Sequence, residues 1–200
     1  MNVLYLTDNR SDYGMGYYYE DWLSAFKNKF SSVTVFGPGY PTNIDEIPSD
    51  IGLVVYGHAF MDVYLKKRFR YFGGKNFRGL DLHKYKSTPS ILFSKNEYKL
   101  MDERIEFISA LDKCLLVCYC RQTLEQYQSV YGNIIWAPFG VNEARFKDIE
   151  LPRDIDVGMR GNRHGSYIGQ LRSDVASSLV QLNFLKHDIK LSDNGEDFLF

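Results

Sequence analysis

The sequence predicts an α/β fold: a Rossmann-like, doubly wound parallel sheet, followed by the beginning of a second Rossmann-like unit. Three observations predict it. Short apolar runs alternate with longer amphipathic stretches along most of the chain. The runs are spaced as repeated strand–helix–strand units, which implies parallel strands covered on both faces. Right-handed crossovers then make the doubly wound arrangement the default. Finally, DIDVGMRG, from residue 154, reads as a fresh first strand.

The elements follow in order. VLYLT (3–7) reads as a buried strand, followed by a polar turn carrying Gly14 and Gly16. A helix is expected from Tyr17 to Lys29, with Tyr18, Trp22, Ala25 and Phe26 at helical spacing. VTVFG (33–37) is the second strand, closed by Pro38-Gly39, and IGLVVYG (51–57) is the third. A basic helix over 59–70 and an irregular stretch over 71–88 precede PSILFS (89–94), the fourth strand. A helix over 100–112 leads to KCLLVCYC (113–120), the fifth strand. Thr123–Tyr131 reads as a helix stopped by Gly132, and NIIWAPFG (133–140) as the sixth strand.

Residues 1–141 therefore form one expected domain. The polar, proline-containing stretch 142–153 reads as a linker, and 154–200 as an incomplete second domain. Within it a helix is expected over 167–185 and a strand over 188–192. One such βαβ unit is too small for an independent core of ordinary size.

Composition narrows the function classes. Hydrophobic residues are 44% and charged residues 24%, a globular profile that argues against disorder. Net charge is −1, so the whole chain has no electrostatic pull toward nucleic acid. No apolar run approaches the ~20 residues that span a bilayer. The start reaches charge too soon for a signal peptide. Cys114, Cys118 and Cys120 are an odd set in one apolar segment, which fits core thiols in a reducing cytoplasm better than disulfides or a metal site. Aromatic residues are 16%, enough to place some tyrosines on the surface, where they suit sugar stacking or protein contact.

Four segments carry a family resemblance. They are NVLYLTDNRSDYGMG at the start, DIGLVVYGHAF ending in His58, IIWAPFGVNEARF entering the linker, and DIDVGMRGN. With these the sequence resembles the GT-B glycosyltransferases of the group-1 type, especially the branch containing the spore-maturation CgeB-like proteins. The last two segments, in that order and at that distance, are the most specific part. The resemblance implies that 1–141 is an acceptor-side domain and 154–200 the start of a nucleotide-sugar domain. It implies a glycosyltransferase, or its N-terminal part, using a nucleotide-sugar donor and a glycan, lipid-linked or small-molecule acceptor, in the cytoplasm and with no metal or other cofactor.

Candidate site residues follow from strand ends and from that resemblance. His58 ends the third strand at the carboxyl edge, where open α/β sheets place ligands. It is suited to orient a sugar hydroxyl or act as a base, although a lone histidine is more often simply hydrogen-bonded in a loop. Asp12 and Asp62 are alternative bases. Asn9, Gly14 and Gly16 belong to the first turn, which by resemblance touches acceptor or diphosphate. The glycines permit close backbone approach, but the turn is no GxGxxG fingerprint, because Tyr19 takes the last glycine place. Ser94, Lys95, Asn96 and Glu97 form a polar cluster at the end of the fourth strand, with Lys95 and Asn96 as substrate contacts. Arg160, Asn162 and Arg163, in the glycine-bearing stretch 158–163 read as a turn, are donor-diphosphate candidates.

The segment 66–86 alternates basic and aromatic residues. It fits a solvated face, an anionic acceptor, a peripheral contact with an acidic membrane surface, or nucleic acid. The near-neutral total charge sets nucleic acid last. Two rivals to an enzyme remain. One is a sugar-binding or partner subunit that needs another polypeptide to complete the donor domain, which predicts an exposed apolar surface on the 167–185 helix. The other is a different Rossmann-like or receiver-like nucleotide-binding protein.

Overall fold

A computed structural model of the chain describes residues 1–9, 17–61, 79–94, 100–138, 140, 155–162 and 167–192. The chain divides into two compact units, Met1–Asn142 and Glu143–Phe200.

The first unit is built on a six-stranded sheet. Its strands are β1 (Asn2–Leu6), β2 (Ser32–Phe36), β3 (Ile51–Tyr56), β4 (Ser90–Ser94), β5 (Cys114–Cys118) and β6 (Ile134–Trp136). They lie in the order β2-β1-β3-β4-β5-β6, and every pairing is parallel. Three helices are described here: α1 (Tyr17–Lys29), α2 (Met101–Ser109) and α3 (Arg121–Gln128).

The strands are apolar throughout because both sheet faces are covered, and period-two alternation sorts their residues between two cores. Val3, Tyr5, Val35, Val55, Phe93 and Val117 pack with Leu23, Trp22 and Phe26 of α1. Leu4, Leu6, Phe36, Val54, Leu92 and Leu116 pack on the other face with Ile108 of α2 and Tyr127 of α3. Phe60, Leu80, Leu82 and Tyr85, from the connection between β3 and β4, join this second core. The chain thus leaves β1 over one face and β3 over the opposite face.

Several expected details change. The inward face of α1 is Trp22, Leu23 and Phe26, while Ala25 is exposed. Helix α3 begins at Arg121 and ends at Gln128, with Ser129 as a right-handed cap. Gly132 is not among the glycines at positive φ, so it does not stop the helix by a left-handed turn. Strand β6 is three residues long rather than 133–140. Most of the helix expected over 59–70 lies outside the described residues, as does most of 66–86. Of the latter, Leu82–Tyr85 forms a 3-10 turn whose Asp81 carboxylate accepts from the His83 amide at 3.0 Å. Lys84 and Lys86 are exposed.

The second unit contains β7 (Val157–Asn162), α4 (Tyr167–Val180) and β8 (His187–Ser192). The strands pair in parallel from Val157↔His187 to Asn162↔Ser192. Asp156 and Lys186 close the start of the pair, each donating a backbone N–H to the other residue at 2.7 Å. Ala176 of α4 is buried, but Leu171, Val175, Val180 and Leu182 are exposed. Among the described residues no helix is long and apolar enough to cross a membrane.

Candidate functional site at the carboxyl edge of the sheet

The strand order fixes where a ligand fits best. In open α/β sheets ligands bind at the carboxyl ends of the strands where the winding direction reverses. Here the reversal falls between β1 and β3. Asp8 and Asn9 follow β1, and His58 follows β3. Ser94 closes β4, the next strand. The topology therefore sets Asn9, His58 and Ser94 at the ends of three adjacent strands.

Tight backbone packing holds this edge. The Gly57 amide donates to Leu6 O at 2.8 Å and the Thr7 amide to Phe36 O at 3.1 Å. Gly37 has φ +149, and a Cβ there would lie 1.8 Å from Thr7 O, so no other residue fits without moving the end of β1. The Asn9 amide donates to Pro38 O at 2.9 Å and its side chain to Gly39 O at 3.3 Å. These contacts of Asn9 tie the turn after β1 to the turn after β2.

His58 is only 2% exposed. Its ring stacks on Phe93 at 4.7 Å and 17° and on Tyr119 at 5.2 Å and 25°. Trp22 lies 5.3 Å away and Tyr19 6.4 Å away, between ring centroids. Nε2 is hydrogen-bonded to the Tyr119 hydroxyl. The side chain thus has Phe93 against one face and Tyr119 beside it, tied at the Nε2 edge.

Charge at this edge is negative on the β1 side. The Tyr40 phenol is pushed up by burial, then by Glu20 and Asp8. Two carboxylates therefore sit close enough to this half-buried phenol to oppose its ionisation, and they disfavour an anion in the same place. On the opposite sheet face, Arg104 of α2 is 1% exposed and lies beside Tyr127 of α3. Burial pushes the Tyr127 phenol up, and the guanidinium opposes that shift. Leu100, just before α2, is the one non-glycine residue at positive φ among the described residues, at φ 55.

Other sequence candidates fall differently. Gly14, Gly16, Lys95, Asn96 and Arg163 lie outside the described residues, as do Asp12, Asp62 and Glu97. Arg160 and Asn162 were expected in a turn after a strand, but they belong to β7 itself. The backbone from 157 to 162 is extended and in register with 187–192, so it does not curl around a phosphate. Any such turn starts no earlier than residue 163. Asp8, Trp22, Phe93 and Tyr119 were missed. Tyr119 was legible as the residue after a strand at the carboxyl edge, but the expected strand ran through residue 120 and absorbed it.

Among the described residues, no group of three or more His, Cys, Asp or Glu side chains is placed to hold a metal ion. The cysteines are reduced: Cys114 and Cys118 are buried and Cys120 is partly exposed. Burial pushes the Cys114 thiol up to about 11. No protein-family model, curated protein or solved structure matches the chain.

Proposed function

We propose that Met1–Asn142 is the acceptor-side domain of a GT-B-type glycosyltransferase, taking a glycan, lipid-linked or small-molecule acceptor and a sugar from a nucleotide-sugar donor. The supporting observation is the reversal between β1 and β3, which sets Asp8 and Asn9 beside His58 at the carboxyl edge. The carboxylates near Tyr40 favour a ligand that offers hydroxyl groups over one that offers phosphate. That is the chemistry of an acceptor sugar. The donor diphosphate then falls to Arg163 and the residues after β7, with Arg160 and Asn162 as flanking candidates. The acceptor brings its own hydroxyl nucleophile, and the reaction as proposed uses no metal.

A second reading has its own support. Leu171, Val175, Val180, Leu182 and Phe184 are 37–80% exposed on and just after α4. An exposed apolar surface of this kind suits a partner module whose second unit is completed by other elements.

Isothermal calorimetry on the folded chain with UDP, GDP and their sugars separates the two. Micromolar binding that Arg163→Ala weakens about tenfold supports the transferase. No binding of any of them contradicts a donor site on this chain and favours the partner module.

A further inference from the structure

His58 is held by a phenol, and that phenol sets what the imidazole can do. Tyr119 follows β5 directly and is 7% exposed. Its hydroxyl meets His58 Nε2, and its ring lies beside the imidazole at 5.2 Å between centroids. Phe93 stacks on one face of the imidazole at 4.7 Å. The Trp136 indole N–H donates to Tyr119 O at 3.0 Å, which anchors the backbone that carries the phenol. The imidazole therefore has a fixed plane and a fixed inward edge.

Two proton arrangements satisfy one hydrogen bond between a phenol and a neutral imidazole. A phenol O–H is a stronger donor than a neutral imidazole N–H, and an imidazole nitrogen is a stronger acceptor than a phenol oxygen. We infer that Tyr119 is a positioning residue that donates its hydroxyl proton to Nε2 and so holds His58 as the Nδ1–H tautomer. The second nitrogen is then a donor, with no lone pair to take a proton. Resting on the acceptor-side reading above, His58 is a fixed buried wall of the β1/β3 crevice and not the general base, because Nε2 is taken by the phenol and Nδ1 is protonated and buried. This corresponds to the usual way a second hydrogen bond fixes which histidine nitrogen carries the proton.

The test is nitrogen-15 NMR of histidine-labelled full-length chain at neutral pH, wild type against Tyr119→Phe and Tyr119→Trp. Tyr119→Phe keeps the ring stack and removes only the hydroxyl. In the wild type, the His58 Nδ1 resonance is expected in the protonated range and Nε2 in the unprotonated range. In Tyr119→Phe the two are expected to move toward each other, as the tautomers mix. Tyr119→Trp, which keeps an N–H donor at the ring edge, tests recovery of the wild-type pattern if Tyr119→Phe unfolds. A protonated Nε2 in the wild type, or a tautomer ratio unchanged in Tyr119→Phe, overturns the assignment. These spectra need no ligand, so they fail or succeed independently of nucleotide-sugar binding. If transfer is observed, the pH profile of kcat is expected to be the same in Tyr119→Phe as in the wild type. A pH profile of kcat that shifts in Tyr119→Phe would instead return the base role to His58.

Discussion

The two units of the chain contain the same motif, a parallel strand–helix–strand, in two different settings. In Met1–Asn142 the strands lie in a six-stranded sheet whose inner strands are buried on both faces. Among the described residues of Glu143–Phe200 two strands and one helix stand together, and the helix shows Leu171 and Val175 to solvent at 50% and 43%. The difference teaches where stability resides. A parallel pair is stabilised by what covers it, and the described residues cover the strands of the first unit far more than those of the second.

Truncation breaks or sharpens this contrast most strongly. Leu116→Ala, at a fully buried position in the core of the first unit, is expected to cost about 2–5 kcal/mol. Leu171→Ala on α4 is expected to stay within about 0.5 kcal/mol. Urea unfolding of each variant checks the pair. Equal losses would mean that α4 is covered in solution.

A backbone change at the carboxyl edge comes next. Gly37→Ala places a Cβ against Thr7 O at a φ of +149 and is expected to cost about 1–3 kcal/mol. The same assay reads it. A neutral outcome would show that the end of β1 is free to move, which the crevice described above does not allow.

A loss of stability confined to alkaline pH, and absent at neutrality, comes from the thiols. The Cys114 pKa is raised from 9.0 to about 11 in the fold, by burial first. The folded state therefore keeps its proton where the unfolded state has lost it. This contribution is fully present below pH 9.0 and is lost as pH rises toward about 11. Its full size is roughly 2–3 kcal/mol. Cys114→Ala should flatten the fall in stability across that window, measured by urea midpoints. In the native chain at neutral pH a thiol reagent should modify Cys120 first, since Cys114 and Cys118 are buried.

Much of the first unit was legible in the sequence because its strands are short apolar runs with helical stretches between them. VLYLT, VTVFG, IGLVVYG, PSILFS and KCLLVCYC each fall within a residue or two of a strand. Element ends were harder, because they depend on pairing rather than composition. NIIWAPFG is apolar after Asn133, yet only Ile134–Trp136 pairs with β5, before Pro138. Gly158 and Gly161 suggested a turn, but the partner strand β8 holds them extended. His58 was legible as an edge residue from its place after IGLVVYG. Its clamp was not, because Trp22, Phe93 and Tyr119 come from three distant segments that only the strand order brings together. Asp8 was overlooked for a similar reason: its neighbour Tyr40 follows a different strand.

Amide hydrogen exchange on the intact chain, with and without saturating nucleotide sugar and a panel of neutral acceptor oligosaccharides, tests the central claim most directly. The account predicts added protection at residues 7–9 and 57–60, at the carboxyl ends of β1 and β3, and none at the opposite edge around Asp50–Gly52 and Asp112–Lys113. Protection at that opposite edge, or no change anywhere with every ligand, would contradict a site at the β1/β3 crevice.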